Sequence, residues 1–334
     1  MVKTFGGKTM KKGKGGRKDK SDKKDKKDKT DKKDKNDKND KKTKKVVEDK
    51  RGFRKAKCSA SKDGNSYTCY TAESLKHLRD NWNKRHPDHK ILTDNSKEIW
   101  EELKRNMANT CNTEACWMRQ QFMKKGLNSE LLNYTFAPTA PKSWIANPNT
   151  WLSSTDISKV MKQYERKNDN FDFIGPSPID YDAVDSYGDR VWEELYSFDP
   201  MKQFKKGKRK VGIIFNTDEH TKGGAHWISL FVNLDDGNMY FFDSVGDKAP
   251  SNVMKFCNTL KQNAKGLDGV PEFTFHETHP HSHQKKDTEC GIYSLFFIAK
   301  MLEKQDYDYF KTKTIGDKDM EKFRQYFFNK PATY

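Results

Sequence analysis

Apolar positions along the chain recur first at a helical spacing and later at a strand spacing. Leu75, Leu78 and Trp82 fall on one helical face, and Ile99, Leu103 and Met107 on another, as amphipathic helices require. Thr71 and Thr113 stand where N-cap residues belong. Residues 58–137 thus read as a helical domain. The segments Ala137-Pro-Thr-Ala-Pro141 and Ala146-Asn-Pro-Asn149 interrupt the pattern, which puts the internal boundary within 137–149. Beyond it, Val211–Phe215 is a short apolar, strand-like run. Trp227, Ser229 and Phe231 alternate with Ile228, Leu230 and Val232 in a second strand. The Asp236-Gly237-Asn238 sequence predicts a hairpin turn, with Met239–Phe242 as the returning strand. Val253, Cys257, Leu260 and Ala264 line one helical face, and Glu272–Phe275 is another short strand. A polar loop, Thr278–Glu289, leads to Cys290 and a helical stripe of Ile292, Leu295, Phe296, Ala299 and Leu302. The expectation is a mixed α+β domain over 138–334 behind the helical one.

The N-terminal segment changes the picture. From Lys11 to Lys45 there is no apolar residue, and residues 1–50 hold 22 of the 65 Lys and Arg but only 10 of the 48 Asp and Glu. Such a stretch buries too little to offset chain entropy. Residues 1–57 read as a disordered, Lys/Asp-rich basic arm. An arm of this kind grips nucleic acid by releasing counterions, serves as a localisation or packaging signal, or is a solvated tail whose interleaved Asp residues dilute its charge. No aromatic residue interleaves the run, so base stacking has no support. Apolar runs such as Leu295–Ala299 are far too short to span a bilayer, and Met1–Met10 lacks a secretory apolar region. Six cysteines without such a leader predict reduced thiols in an intracellular, reducing, non-secreted setting.

Candidate chemistry converges on the second domain. His226 opens one strand of the hairpin and Asp243 closes the other. The start of a strand and the end of its antiparallel neighbour share one sheet edge, so the two residues are predicted neighbours. Cys290 sits at a helix start, where unpaired N–H groups and the macrodipole favour a thiolate. A thiolate, a base and a carboxylate that fixes the base's tautomer are what acyl transfer needs. Gln284, six residues earlier, is placed to offer its amide beside the Cys290 N–H as an oxyanion hole. Each residue alone has a plainer reading: a buried inert thiol, as for Cys257, a satisfied histidine, a turn aspartate. Their joint order and placement favour the chemical reading.

The segments Gly224-Ala-His226-Trp227, Tyr240-Phe-Phe-Asp243-Ser244 and Gln284-Lys-Lys-Asp-Thr-Glu-Cys290-Gly291 resemble the three motifs of the ubiquitin-like-protein-specific cysteine proteases. That clan includes the SUMO proteases, the adenovirus-type protease and the processing proteases of large DNA viruses. The resemblance spans about 145–330 and implies a papain-like, adenain-like fold, a central mixed sheet flanked by helices. It also implies His226 as base, Asp243 as its orienting partner, Cys290 as nucleophile and Gln284 as oxyanion donor. Trp227 matches a tryptophan that closes a narrow tunnel over a Gly-Gly substrate, and Trp151 resembles a second; a core or interface role is the competing reading for Trp151. Cys111-Asn-Thr-Glu-Ala-Cys116-Trp117, Trp151–Glu165 and Phe173–Asp180 look like segments of the viral branch, whose members mature capsid or core polyproteins. Where many SUMO proteases carry Asp before the cysteine, this chain carries Glu289.

The expected activity is therefore a cysteine endopeptidase cleaving precursor chains after Gly-Gly, in host cytoplasm, viral factory or virion, without a cofactor. Alternatives are a deconjugase acting on a ubiquitin-like modifier, acyl transfer to another acceptor, and a nucleic-acid-binding structural protein with a vestigial thiol. Two metal readings are weaker. His276, His279, His281 and His283 precede Gln284; His279, His281 and His283 form either a transition-metal site, with Asp287 or Glu289, or part of a mobile polar loop. Cys58, Cys69, Cys111 and Cys116 match no common zinc spacing.

Overall fold

The computed structural model describes residues 52–60, 67–120, 123, 134–266 and 269–331. The basic arm, apart from residues 52–57, lies outside them. The helices are α1 (Ala72–Arg85), α2 (Ser96–Asn106), α3 (Glu114–Trp117), α4 (Ser154–Lys167), α5 (Glu193–Tyr196), α6 (Pro200–Lys205), α7 (Ser251–Ala264), α8 (Cys290–Leu302), α9 (Asp308–Thr312) and α10 (Asp317–Phe327). The strands are β1 (Phe171–Pro178), β2 (Lys210–Asn216), β3 (Trp227–Asn233), β4 (Asn238–Phe242) and β5 (Thr274–Glu277).

These five strands form one mixed sheet in the order β1-β2-β3-β4-β5. The β2–β3 and β3–β4 pairs are antiparallel, whereas β1 and β5 join the edges in parallel. Alternation along β3 splits its side chains between two cores. Trp227 and Phe231 join α4 and α8 on one side, while Ile228, Leu230 and Val232 join α7 on the other. Sheet centre and flanking helices follow directly, because a strand buried on both faces must be covered twice. The hairpin turn holds at Gly237, which has φ +69°; a Cβ there would lie 2.2 Å from the Glu272 carbonyl oxygen. Helix α8 is buried along almost its whole length, Lys300 being the exception, as a helix apolar all round requires.

Three elements depart from the sequence reading, the first being the strand expected at Glu272–Phe275, which runs instead over Thr274–Glu277. Strand β1 was hidden by Gly175, Pro176 and Pro178, residues that normally break strands. It is tolerated as an edge strand with a register shift between Ile174 and Ser177. Thr113 occupies the N-cap position of α3 without a side-chain cap bond, and that helix is only 4 residues long. Thr71 does cap α1, accepting from the Ser74 N–H, and Asn95 caps α2 in the same manner.

The expectation of reduced thiols throughout is overturned. Cys58 pairs with Cys69 and Cys111 with Cys116 in disulfides, leaving Cys257 and Cys290 free. The chain path before α1, and the turn from α2 into α3, bring these Cα atoms to 5.1 and 5.5 Å, within bonding range, a proximity that spacing along the chain does not reveal. The same four sulfurs are thereby removed as zinc ligands. The core around them contains Leu75, Leu78, Ile99, Leu103 and Trp117. A fully buried carboxylate in it, Glu114, accepts from Thr68 Oγ1, the Cys69 N–H and Trp100 Nε1. Residues Glu48–Tyr334 make one compact unit. Among the described residues, no helix is long and apolar enough to cross a membrane.

Candidate active site

The β3–β4 hairpin carries His226 and Asp243 at one edge of the sheet, with His226 Nε2 2.8 Å from Asp243 Oδ1. Asp243 is buried, and its Oδ1 also accepts the Val245 N–H at 2.9 Å. The loop that delivers His226 is tied down by local polar bonds. Asn216 Oδ1 accepts the N–H groups of Asp218 and Ala225, and Asp218 Oδ2 accepts that of Gly224. Nε2 is committed to Asp243, and Cys290 is the second group that favours the protonated imidazole. Burial disfavours the imidazolium, but the bonds to Asp243 and Cys290 outweigh it and push His226 up to about 10.

Cys290 is the first residue of α8 and only 2% exposed. The first N–H groups of a helix have no intrahelical acceptor and point toward whatever lies at its N-terminus. Gly291 allows the helix to approach the neighbouring wall closely. A Cβ there would sit 3.0 Å from the Leu152 Cβ and 3.2 Å from the Trp227 Cδ1. Trp227 is buried and donates from Nε1 to the Leu152 carbonyl at 3.0 Å. Trp151, by contrast, is 42% exposed. Its neighbour Leu152 is the buried one.

Gln284 is nearly buried, on the loop between β5 and α8. Its Oε1 accepts from Ser244 Oγ at 2.7 Å, and its Nε2 donates to the Lys286 carbonyl. A carbonyl can only accept, so this bond fixes which side of the amide carries nitrogen. The Ser244 carbonyl in turn accepts the N–H groups of His283 and Gln284. Ser244, next to Asp243, thus joins the carboxylate loop to the glutamine loop, a role with no signal in the sequence beyond its place in the motif.

The histidine-rich stretch does not converge on one point. His276 bonds Asn238 Oδ1, His279 the Gly246 carbonyl, and His281 the Thr314 hydroxyl. His283 accepts the Ile315 N–H on Nδ1. Among the described residues, no three His, Cys, Asp or Glu side chains are grouped to hold a metal. These bonds instead pin the loop ahead of Gln284. His283 is 1% exposed, and burial, with the neighbouring His281, lowers it to about 4. The unfolded chain then takes up the His283 proton first, near 6.5, so stability falls as pH drops from about 6.5 toward 4 and levels off below. Urea melts between pH 4 and 7 are expected to show this slope in the wild type and a shallower one in His283→Gln. Equal slopes would remove His283 as its source.

Comparison with known proteins bears on this geometry. Residues 198–332 match the Ulp1 protease family, C-terminal catalytic domain. A protein of Acanthamoeba polyphaga mimivirus that carries a thiol-protease name is 28% identical over 253 residues, covering 73% of this chain and 78% of the relative. The SUMO-1 cysteine protease of African swine fever virus is 28% identical over 247 residues, covering 70% and 88%. The crystal structure of an African swine fever virus protease superposes with a TM-score of 0.60 at 22% identity, over 83% of this chain and 96% of that one, and shares its fold. The chain is a cysteine peptidase whose residues 198–332 are similar to the catalytic domain of the Ulp1 protease family.

Proposed function

We propose that the chain is an endopeptidase that cleaves precursor proteins after Gly-Gly, with Cys290 as nucleophile, His226 as base and acid, Asp243 as orienting carboxylate and Gln284 as oxyanion donor. The observation that supports the specificity is the tight packing beside the buried Cys290, where a Cβ on Gly291 would come within 3.0 Å of Leu152 and 3.2 Å of Trp227. A scissile-bond residue with a side chain would meet the same walls. His226 and Cys290 share one proton. The thiolate attacks the carbonyl carbon, and the oxyanion is met by the N-terminal amides of α8 and the second Nε2 hydrogen of Gln284. His226 then protonates the leaving amine, and the resulting thioester is hydrolysed by water that gives its proton back to His226.

Cleavage of a Gly-Gly-X peptide library by wild type and Cys290→Ala, read by mass spectrometry, tests this. Products ending in Gly-Gly from the wild type alone are expected. Cleavage by both proteins would point to another nucleophile. The name of the African swine fever virus relative, a SUMO-1 cysteine protease, favours a second reading in which the substrate is a folded ubiquitin-like modifier. Activity on modifier conjugates with silence on peptides would select it.

A further inference from the structure

The turn that presents Cys290 is held by a buried ion pair that the chemistry above does not use. Glu289 occupies the N-cap position of α8, yet its side chain makes no cap bond. Its fully buried carboxylate turns away to Arg324 of α10, with Oε2 3.0 Å from Nε. The guanidinium, 4% exposed, spends its other donors on two backbone segments. Nη2 donates to the Thr288 carbonyl at 3.0 Å and Nη1 to the Thr150 carbonyl at 2.6 Å. The Trp144 ring covers it at 4.5 Å.

Thr288 and Glu289 lead into the Cys290 turn, while Thr150 leads into the Trp151–Leu152 wall. One planar side chain therefore ties the turn before the thiol to the segment that leads into Leu152. A buried ion pair of this kind is a costly way to fill a core, since apolar residues of similar volume serve stability as well or better. What an apolar pair cannot supply is a rigid fork of donors at set angles. Beyond the fork the packing is tight, since Trp227 Nε1 bonds the Leu152 carbonyl and a Cβ on Gly291 would come within 3.0 Å of Leu152 and 3.2 Å of Trp227. We propose that Arg324 and Glu289 are positioning residues that hold the Cys290 turn at a fixed distance from the Thr150–Leu152 segment and so set the width of the slot to the thiol.

The proposal rests on Cys290 being the nucleophile, and its test does not depend on substrate preference. The full chain is alkylated at Cys290 with iodoacetamide, a slim reagent, and with N-phenylmaleimide, a broad one, each rate being followed by peptide mass spectrometry. Cys257, buried in the opposite core, reports loss of fold in the same samples. Arg324→Lys keeps the charge and loses the fork; Arg324→Met with Glu289→Met removes the pair and keeps the volume. Both are expected to raise the broad-to-slim rate ratio at Cys290 about tenfold or more relative to the wild type, with Cys257 still unreactive. An unchanged ratio in either folded variant would overturn the proposal, as would a rise that merely tracks Cys257 reactivity. Peptide cleavage surviving in Cys290→Ala would overturn the nucleophile assignment, whereas a wild type indifferent to Gly-Gly would overturn only the specificity.

Discussion

Replacing Cys290 by Ala is expected to abolish peptide cleavage, and Cys290→Ser to lower kcat by about a thousandfold or more. The chemistry dictates the size of the effect. His226 is held by Asp243 at 2.8 Å, and an imidazole so oriented is suited to taking the proton of an attacking thiol. A hydroxyl, far less acidic, gives that base little anion to stabilise. Serine fills nearly the same volume at the start of α8, so the thermal unfolding midpoint should stay within a few degrees. The check is a comparison of turnover with the melting curve for each variant. Wild-type-like turnover in Cys290→Ser would end the assignment, and a collapse of the melting transition would mean that the thiol is structural.

Asp243→Asn should cost about a hundred- to ten-thousandfold in kcat/KM, since an amide cannot stabilise the imidazolium and can select the wrong tautomer. The substitution also carries a pH signature. In the wild type His226 stays protonated up to about 10, against the opposition of burial, through its bonds to Asp243 and Cys290. A raised folded-state value means that this pairing stabilises the fold fully below 6.5 and loses its contribution as pH rises through about 10. Activity that needs the protonated imidazole is lost over the same alkaline limb. Removing the Asp243 charge should draw that limb to lower pH, read from kcat/KM profiles between pH 6 and 11. A limb that does not move would show that Asp243 does not set the charge of His226.

Much of the site was legible because its parts are local. A hairpin only a few residues across its turn brings His226 and Asp243 to one sheet edge, whatever the rest of the chain does. The apolar stripe after Cys290 announces α8, and alternation along Trp227–Asn233 announces a strand covered on both faces. What escaped the reading was of two kinds. Strand β1 was masked by its own Gly and Pro residues and exists because β2 offers it an edge. The disulfides, the bond from Ser244 to Gln284 and the dispersal of the four histidines depend on which loops meet.

The sequence by itself determined periodicity, the hairpin turn and the Thr71 cap, and with them the pairing of β3 with β4 and the placement of His226 and Asp243 at one end of it. Short-range geometry suffices for such features, because a strand or helix presents its side chains at fixed intervals. Only the tertiary structure decided how closely the walls approach Cys290. That depends on Arg324, which reaches Thr150 across 174 positions of chain and Glu289 across 35. No local pattern marks such a contact. A buried guanidinium finds its partners only once packing has excluded water and left each donor needing an acceptor.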